Sequence, residues 1–144
     1  MKAYIFLILW CITLDALTKY LADINLREAI SIIPNLLSLQ YIENTGIAFS
    51  IAITGIFLKI LTVILIFIIF WYYWTQEKIK QSAILNVSYS LIFAGAIGNA
   101  WERIFKWYVI DFISLEHFSV FNLADSYITL WAIGILYYYS KHKS

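Results

Sequence analysis

Two aspartates near the end of the chain have the residue type needed for acid–base chemistry. Asp111 lies in the run "VIDF" and Asp125 in "FNLAD". The β-branched and aromatic neighbours of Asp111 are expected to raise the pKa of its carboxyl group. When two nearby carboxyl groups share one proton, the charged one can activate a water and the protonated one can donate to a peptide carbonyl oxygen. This pair is therefore compatible with aspartyl peptide hydrolysis, which uses neither a metal nor a cofactor.

Asp125 also has a purely structural interpretation. Asp is a favoured N-cap and its charge suits a helix N-terminus, but Asn122 could cap the same helix equally well. Other catalytic chemistry has less support in the sequence. No serine lies in a nucleophile-elbow pattern, and Cys11 lies in an apolar run, where a core position is expected. One cysteine and two histidines also make a zinc site improbable.

The first helical run contains a charged pair in "DALTK". Asp15 and Lys19 are four residues apart, so a helix places one above the other. Such a pair lowers the free energy of burying both charges, and this alone could explain it. Alternatively, the pair braces other polar groups of a site without contacting a substrate.

Two further segments combine glycine with polar residues. In "ENTGIAFS", Asn44 can bond nearby amides and Gly46 allows a tight backbone, although an ordinary turn would have the same residues. In "AGAIGNAWER", the glycines at 95 and 98 permit close helix packing, with Asn99 and Arg103 four residues apart. Packing does not explain why Asn99, Glu102 and Arg103 gather at one helix end. Arg103 could pair with Glu102, with Asp111 or with a lipid phosphate.

The composition indicates an integral membrane protein. The 144 residues are 62% hydrophobic and 13% charged, and the mean hydropathy is +0.79. Soluble domains are about a quarter charged. The net charge of +1 gives no indication of nucleic-acid binding. The length suits one domain, covering residues 1–144.

Four apolar runs approach the roughly 20 residues that a helix needs to cross a bilayer. These predicted spans cover residues 3–22, 53–74, 83–104 and 123–140. The segment 75–82 is predicted to be a short polar connection, and residues 36–42 a short strand. The longer connections are 23–52 and 105–122.

The flanking cations give an orientation. With four spans, one side carries Lys2, Lys78, Lys80, Lys141 and Lys143, and the other carries Arg27, Arg103 and Lys106. This bias predicts that both termini are cytoplasmic and that the long connections face outward. Every span then delivers its polar residues to the outer face.

The ordered motifs resemble those of the bacterial lipoprotein signal peptidases, signal peptidase II. That family has an Asp and a Lys in the first span, then Asn-x-Gly-x-Ala-Phe, Gly-Asn-x-x-Asp-Arg, Val-Val-Asp-Phe and Phe-Asn-x-Ala-Asp. This chain has "DALTK", "NTGIAF", "GNAWER", "VIDF" and "FNLAD" in the same order. Each motif is weak alone, whereas the ordered set is specific and covers about residues 12 to 130.

The resemblance implies an all-α membrane protein of four transmembrane helices with a small extracytoplasmic β-like cradle. It implies an aspartyl endopeptidase of the bacterial inner membrane, with its site near the outer face. The enzyme would cut diacylglyceryl-modified prolipoproteins just before the lipidated cysteine, and it would contact membrane lipids. It is expected to be a monomer, without cofactor or metal, and to be inhibited by the cyclic lipopeptide globomycin.

The resemblance also assigns roles to residues. Asp111 and Asp125 would be catalytic. The substrate-binding or supporting residues would be Asp15, Lys19, Asn44, Gly46, Ala48, Phe49, Gly98, Asn99, Glu102, Arg103, Asn122 and Ala124.

Two other functions remain open at the level of sequence. A small transporter component would explain charges within membrane spans, but it should have carboxylates at mid-membrane and access from both sides. A homologue that binds lipidated peptides without cutting them would explain two departures from the family pattern. Glu102 stands where the family usually has Asp, and the segment between Asp111 and Asp125 is short.

Overall fold

Four helices and a small sheet make up the computed structural model, which describes residues 2–46 and 55–142. The helices are α1 (Lys2–Asn25), α2 (Gly55–Tyr72), α3 (Ala83–Lys106) and α4 (Leu123–Lys141). The strands are β1 (Ile30–Ile33), β2 (Leu37–Asn44), β3 (Val109–Leu115) and β4 (Val120–Phe121). Each predicted span therefore coincides with a helix to within a few residues.

Among the described residues, three helices are long and apolar enough to cross a membrane. They are α1, α3 and the continuous segment Gly55–Lys80, which contains α2. The fourth helix, α4, has 19 residues and is not one of these three. Three of the predicted spans are thus helices suited by length and composition to crossing a membrane, and an arrangement of four membrane spans stays a prediction.

The two long connections form one antiparallel sheet in the order β1-β2-β3-β4. The sequence predicted a single strand at 36–42, which corresponds to β2. The small β-like cradle implied by the resemblance is present as this sheet, whose strands β1 and β2 lie in the first long connection. Strands β3 and β4 were not predicted, because they are short apolar runs next to apolar helices. The pairing of β2 with β3 places Ile42 opposite Asp111 and Asn44 opposite Val109. This register brings two segments distant in sequence to the same place.

The polar segment after α2, predicted as a short connection, contains two helical turns. A π-helical turn (Tyr73–Glu77) and a 3₁₀ turn (Lys78–Lys80) continue α2. Glu77 is completely buried and accepts a hydrogen bond from the Tyr139 hydroxyl at 2.5 Å. Lys80 donates to the same carboxylate at 3.1 Å. These contacts explain the burial of a charged residue at this end of the bundle.

The third helix is the centre of the bundle, and both α1 and α4 pack against it. Small residues of α3 allow this close approach. A Cβ on Gly95 would lie 2.4 Å from the Ala124 carbonyl oxygen of α4, and one on Gly98 would lie 2.8 Å from Asp15 Oδ2 of α1. The glycines therefore determine how closely α1 and α4 approach the C-terminal half of α3.

Candidate active site

The first turn of α4 shows which residue caps this helix. Asn122 is the N-cap, and its Oδ1 accepts a hydrogen bond from the Asp125 backbone N–H at 2.9 Å. Asp125 Oδ2 in turn accepts from the Asn122 backbone N–H at 3.3 Å. This reciprocal pair is a capping box. It uses one oxygen of Asp125 and fixes the orientation of the carboxylate.

Asn122 also contacts the second aspartate. Its Nδ2 donates to Asp111 Oδ1 at 2.7 Å and lies 3.3 Å from the Ile110 carbonyl oxygen. The Asn122 side chain is fully buried. One residue thus hydrogen-bonds both carboxylates, to Asp125 through its backbone and to Asp111 through its side chain. The structure brings the two aspartates together at one site.

Asp111 is held from the sheet as well as from α4. Its second oxygen, Oδ2, accepts from Asn44 Nδ2 at 2.8 Å. The side chain is 2% exposed, and burial raises its pKa to about 6. The nearby Asp125 charge raises this pKa further, whereas the hydrogen bonds from Asn44 and Asn122 lower it. The raised pKa expected from the sequence is confirmed, and burial is the main cause.

Asp125 is connected to the interior of the bundle through Asn99. Asn99 Nδ2 donates to Asp125 Oδ1 at 2.8 Å. Asn99 Oδ1 accepts from Lys19 Nζ at 2.9 Å and from Asn122 Nδ2 at 3.2 Å. Since an amide oxygen can accept twice, both donors are satisfied. Asn99 therefore joins the aspartates to a charged cluster behind them.

That cluster is centred on Lys19, whose ammonium group is almost completely buried. Lys19 Nζ lies 2.8 Å from Asp15 Oδ2 and 3.0 Å from Glu102 Oε2. The other oxygen of Asp15 accepts from the Ala124 backbone N–H at 2.9 Å. The predicted Asp15–Lys19 pair is confirmed, and it is joined directly to the first turn of α4.

Glu102 forms contacts that the sequence did not indicate. Its Oε1 lies 3.0 Å from Lys106 Nζ, and its Oε2 accepts from the Ile110 backbone N–H at 3.2 Å. The suggested pairing of Glu102 with Arg103 is therefore not the one formed. The longer arm of Glu102 reaches α1, α3 and β3 at once.

Arg103 faces the aspartates without an ion pair among the described residues. It is close enough to Asp125 and Asp111 for an attractive charge interaction with each. Its Nε is buried and has no hydrogen-bond partner in the part of the chain that the structure describes.

An apolar groove leads to this site between α2, α3 and α4. Its volume is about 260 Å³, and most of the residues that line it are apolar, although three of its polar lining residues belong to the site. These three are Asn99, Arg103 and Asp125. The apolar part is lined by Leu58, Leu61, Leu65, Ile66, Ile69, Ile92, Ala96 and Ile128, together with Thr62. An apolar chain in the groove would place an attached polar group beside Asp125.

The remaining predicted residues are distributed as follows. The Gly46 backbone N–H donates to Asn44 Oδ1 at 2.9 Å, which holds the side chain that contacts Asp111. Ala124 is fully buried beside Gly98. Ala48 and Phe49 lie outside the described residues. Lys106 was missed as part of the site, although its spacing from Glu102 on α3 is a usable signal.

The chain is similar to known proteins over almost all of its length. The sequence pattern of the family described as Signal peptidase (SPase) II matches residues 7–141. A lipoprotein signal peptidase of Streptococcus thermophilus is 39% identical, covering 90% of this chain and 84% of its own. One of Halothermothrix orenii is 35% identical, covering 94% of each chain.

The fold is also similar to solved structures. A bacterial membrane enzyme solved by the in meso method at 2.3 Å resolution has a TM-score of 0.85 and 27% sequence identity, over 100% of this chain and 93% of that one. A 1.9 Å structure of a bacterial membrane enzyme gives the same score and identity.

Proposed function

The chain belongs to the signal peptidase II family, and on this premise we propose that it is an aspartyl endopeptidase with Asp111 and Asp125 as its catalytic pair. One observation carries the proposal: Asn122 hydrogen-bonds both carboxylates, so the pair is held together by a single buried side chain and its backbone. A peptidase of this kind needs two carboxyl groups on one reacting peptide bond.

In this mechanism the pair shares one proton. The charged carboxylate removes a proton from the attacking water, while the protonated one donates to the carbonyl oxygen of the scissile bond. Breakdown of the tetrahedral intermediate returns a proton to the leaving amine. The raised pKa of Asp111 supports retention of the shared proton at mildly acidic pH. The two groups titrate as a unit.

The other residues near the pair would hold the substrate or the pair itself. Arg103 lines the groove beside Asp125, and its guanidinium group is suited to donate to a substrate carbonyl oxygen. Asn44 and Asn99 each donate to one catalytic carboxylate. Asp15, Lys19 and Glu102 would support this arrangement from behind, with Gly98 and Ala124 providing close packing. Gly46 would position Asn44, and Ala48 and Phe49 complete the proposed set.

The proposed substrates are diacylglyceryl-modified prolipoproteins, cut just before the lipidated cysteine. The relatives in Streptococcus thermophilus and Halothermothrix orenii are named as lipoprotein signal peptidases. The groove supports this choice because most of its lining residues are apolar and Asp125 is among its polar ones. Acyl chains or an apolar signal segment in the groove would contribute much of the binding free energy.

We further propose four membrane spans, with α4 as the fourth, and cytoplasmic termini. The active site would then lie near the outer face of the inner membrane, and the sheet would be extracytoplasmic. The lysines at the chain ends and at 78–80 support this orientation, although Lys59 adds one cation to the outward side. We expect a monomer of one domain, because one chain supplies all the hydrogen bonds described for the pair, and inhibition by globomycin.

The proposed function is tested with the purified full-length protein and two forms of one prolipoprotein. We expect cleavage of the diacylglyceryl-modified form, seen as a shift on a gel, and at least about a hundredfold slower cleavage of the unlipidated form. Equal cleavage of both forms would refute lipid-dependent recognition. Binding of the lipidated form without any cleavage would favour the non-catalytic homologue.

The raised pKa of Asp111 predicts how cleavage depends on pH. A raised carboxyl pKa means that the proton is lost only as pH rises through about 6. Because the mechanism needs one shared proton, kcat/KM should fall as pH rises through that value. The same sign applies to stability: the contribution of this group is present below 3.8, its ordinary pKa, and is lost as pH rises through about 6.

The pH profile of an Asn44→Ala variant tests the cause of this dependence. The Asn44 hydrogen bond favours the charged form of Asp111, so its removal should move the fall in kcat/KM to higher pH. Asn25→Ala is the matched control, since Asn25 lies on exposed α1 backbone and bonds only to Leu21 in the same helix. A profile that is flat from pH 5 to 8, or a shift to lower pH, would argue against this assignment.

A further inference from the structure

The turn from α3 into β3 contains a residue in an unusual backbone conformation. Trp107 follows the last residue of α3 with φ of +70° and ψ of 1°, which is the left-handed region. Glycine is favoured at this position of a helix end because it has no Cβ. A tryptophan is strained here, and 58% of its surface is exposed, so burial does not explain the conformation.

One residue of a different helix contacts both sides of this turn. Lys59 of α2 places Nζ 3.0 Å from the centroid of the Trp107 ring. The same ammonium group donates to the Ile104 carbonyl oxygen at 2.7 Å. The last four carbonyls of a helix lack partners within it, and Ile104 is one of these. Lys59 therefore supplies a missing donor and a cation–π contact together.

This turn leads directly to the proposed catalytic carboxylate. Three residues separate Trp107 from Asp111: Tyr108 is half-buried, and Val109 and Ile110 are almost completely buried, at 1% and 2% exposure. Asp111 itself is held by Asn44 and Asn122. With so short and largely buried a connection, a change of backbone conformation at Trp107 is expected to shift Asp111.

We propose that Lys59 is a positioning residue for Asp111. Its two contacts, with the Trp107 ring and the Ile104 carbonyl oxygen, hold the left-handed turn in place, and we call these contacts the clamp. The expected effect on cleavage rests on the proposed function, whereas the effect of Lys59 on the conformation of the turn does not depend on it. Lys59 belongs to α2, where Leu58 is buried but most of the helix surface is exposed. The clamp thus also ties α2 to the end of α3, beside the groove.

Steady-state cleavage of the lipidated prolipoprotein separates positioning from substrate binding. In Lys59→Met, kcat should fall about tenfold with KM within about twofold of wild type, since the groove lining is unchanged. Lys59→Arg should retain activity because a guanidinium can still donate and stack. Lys78→Met is the matched control: Lys78 lies 3.2 Å from the Trp74 ring centroid, at the other end of the same segment. Its kcat should equal that of wild type.

A second substitution tests whether Lys59 acts through the turn. Glycine adopts positive φ without strain, so Trp107→Gly in the Lys59→Met background should restore most of kcat. Hydrogen–deuterium exchange over residues 104–112 should rise in Lys59→Met and return towards wild type in the double variant. Unchanged kcat and exchange in Lys59→Met, or a double variant that stays as slow as the single one, would overturn the proposal. A wild type that does not cleave would refute the proposed function, and exchange would still decide the clamp.

Discussion

Asp111→Asn and Asp125→Asn are each expected to reduce cleavage of a lipidated prolipoprotein by about 10⁴-fold or more. An amide can neither remove a proton from water nor share the proton that the mechanism requires. The two effects should not add, because the carboxyl groups act as a unit around Asn122. The double variant should therefore be about as slow as either single variant, which is measured by single-turnover cleavage with enzyme in excess.

The folded state of these variants is the necessary control. Each aspartate accepts two hydrogen bonds, and an Asn has one acceptor oxygen, so one donor at each site loses its partner. This loss destabilises by about 1–3 kcal/mol, which thermal unfolding would detect. Asp23→Asn is the matched substitution at an exposed carboxylate, which pairs with Arg27, and it should cleave normally. Cleavage within about tenfold of wild type by a folded Asp111→Asn protein would exclude the aspartyl mechanism.

Local spacing in the sequence predicts the parts of the site that lie on one helix. Asp15 and Lys19 are four residues apart on α1 and form the expected ion pair. Asn122 and Asp125 are three apart at a helix start and form a capping box. The long apolar runs likewise predict the positions of all four helices, because hydropathy and length are local properties.

Contacts between distant segments could not be predicted in this way. Asn44 reaches Asp111 only because β2 and β3 pair in one register. The apolar run that forms β3 gives no pattern from which the strand or its pairing could be predicted. Lys19 meets Asn99 and Glu102 because α1 lies close to α3, which depends on Gly98. The burial of Glu77 was missed because a polar segment does not indicate a helical turn with a partner on α4.

Removing the buried ammonium group in Lys19→Met should destabilise the protein by about 3–5 kcal/mol. Lys19 is the shared partner of Asp15 Oδ2, Glu102 Oε2 and Asn99 Oδ1. Without it, the buried carboxylate of Asp15 loses its ion-pair partner, and Glu102 keeps its pair with Lys106 alone. Since Asn99 also holds Asp125, cleavage should fall as well. Reversible unfolding in mixed detergent micelles measures the change in free energy.

Lys106→Met is the matched control, because it removes an ammonium group at the same 3.0 Å distance from the same Glu102. The side chain of Lys106 is 45% exposed, whereas that of Lys19 is 3% exposed. A solvent-exposed pair contributes about 0–1 kcal/mol, so the two variants should differ severalfold in effect. If the Lys19→Met and Lys106→Met variants are equally stable, the burial of Lys19 does not determine how much the cluster contributes to stability.

A second substitution separates unpaired charge from lost packing in the Lys19→Met protein. Asp15→Asn in that background removes the carboxylate that has lost its ion pair and keeps an oxygen for the Ala124 N–H. If unpaired buried charge causes the instability, this double variant should be more stable than Lys19→Met alone, because replacing a whole buried ion pair is far less destabilising than breaking it. If the instability comes from altered packing, the second substitution should add to it.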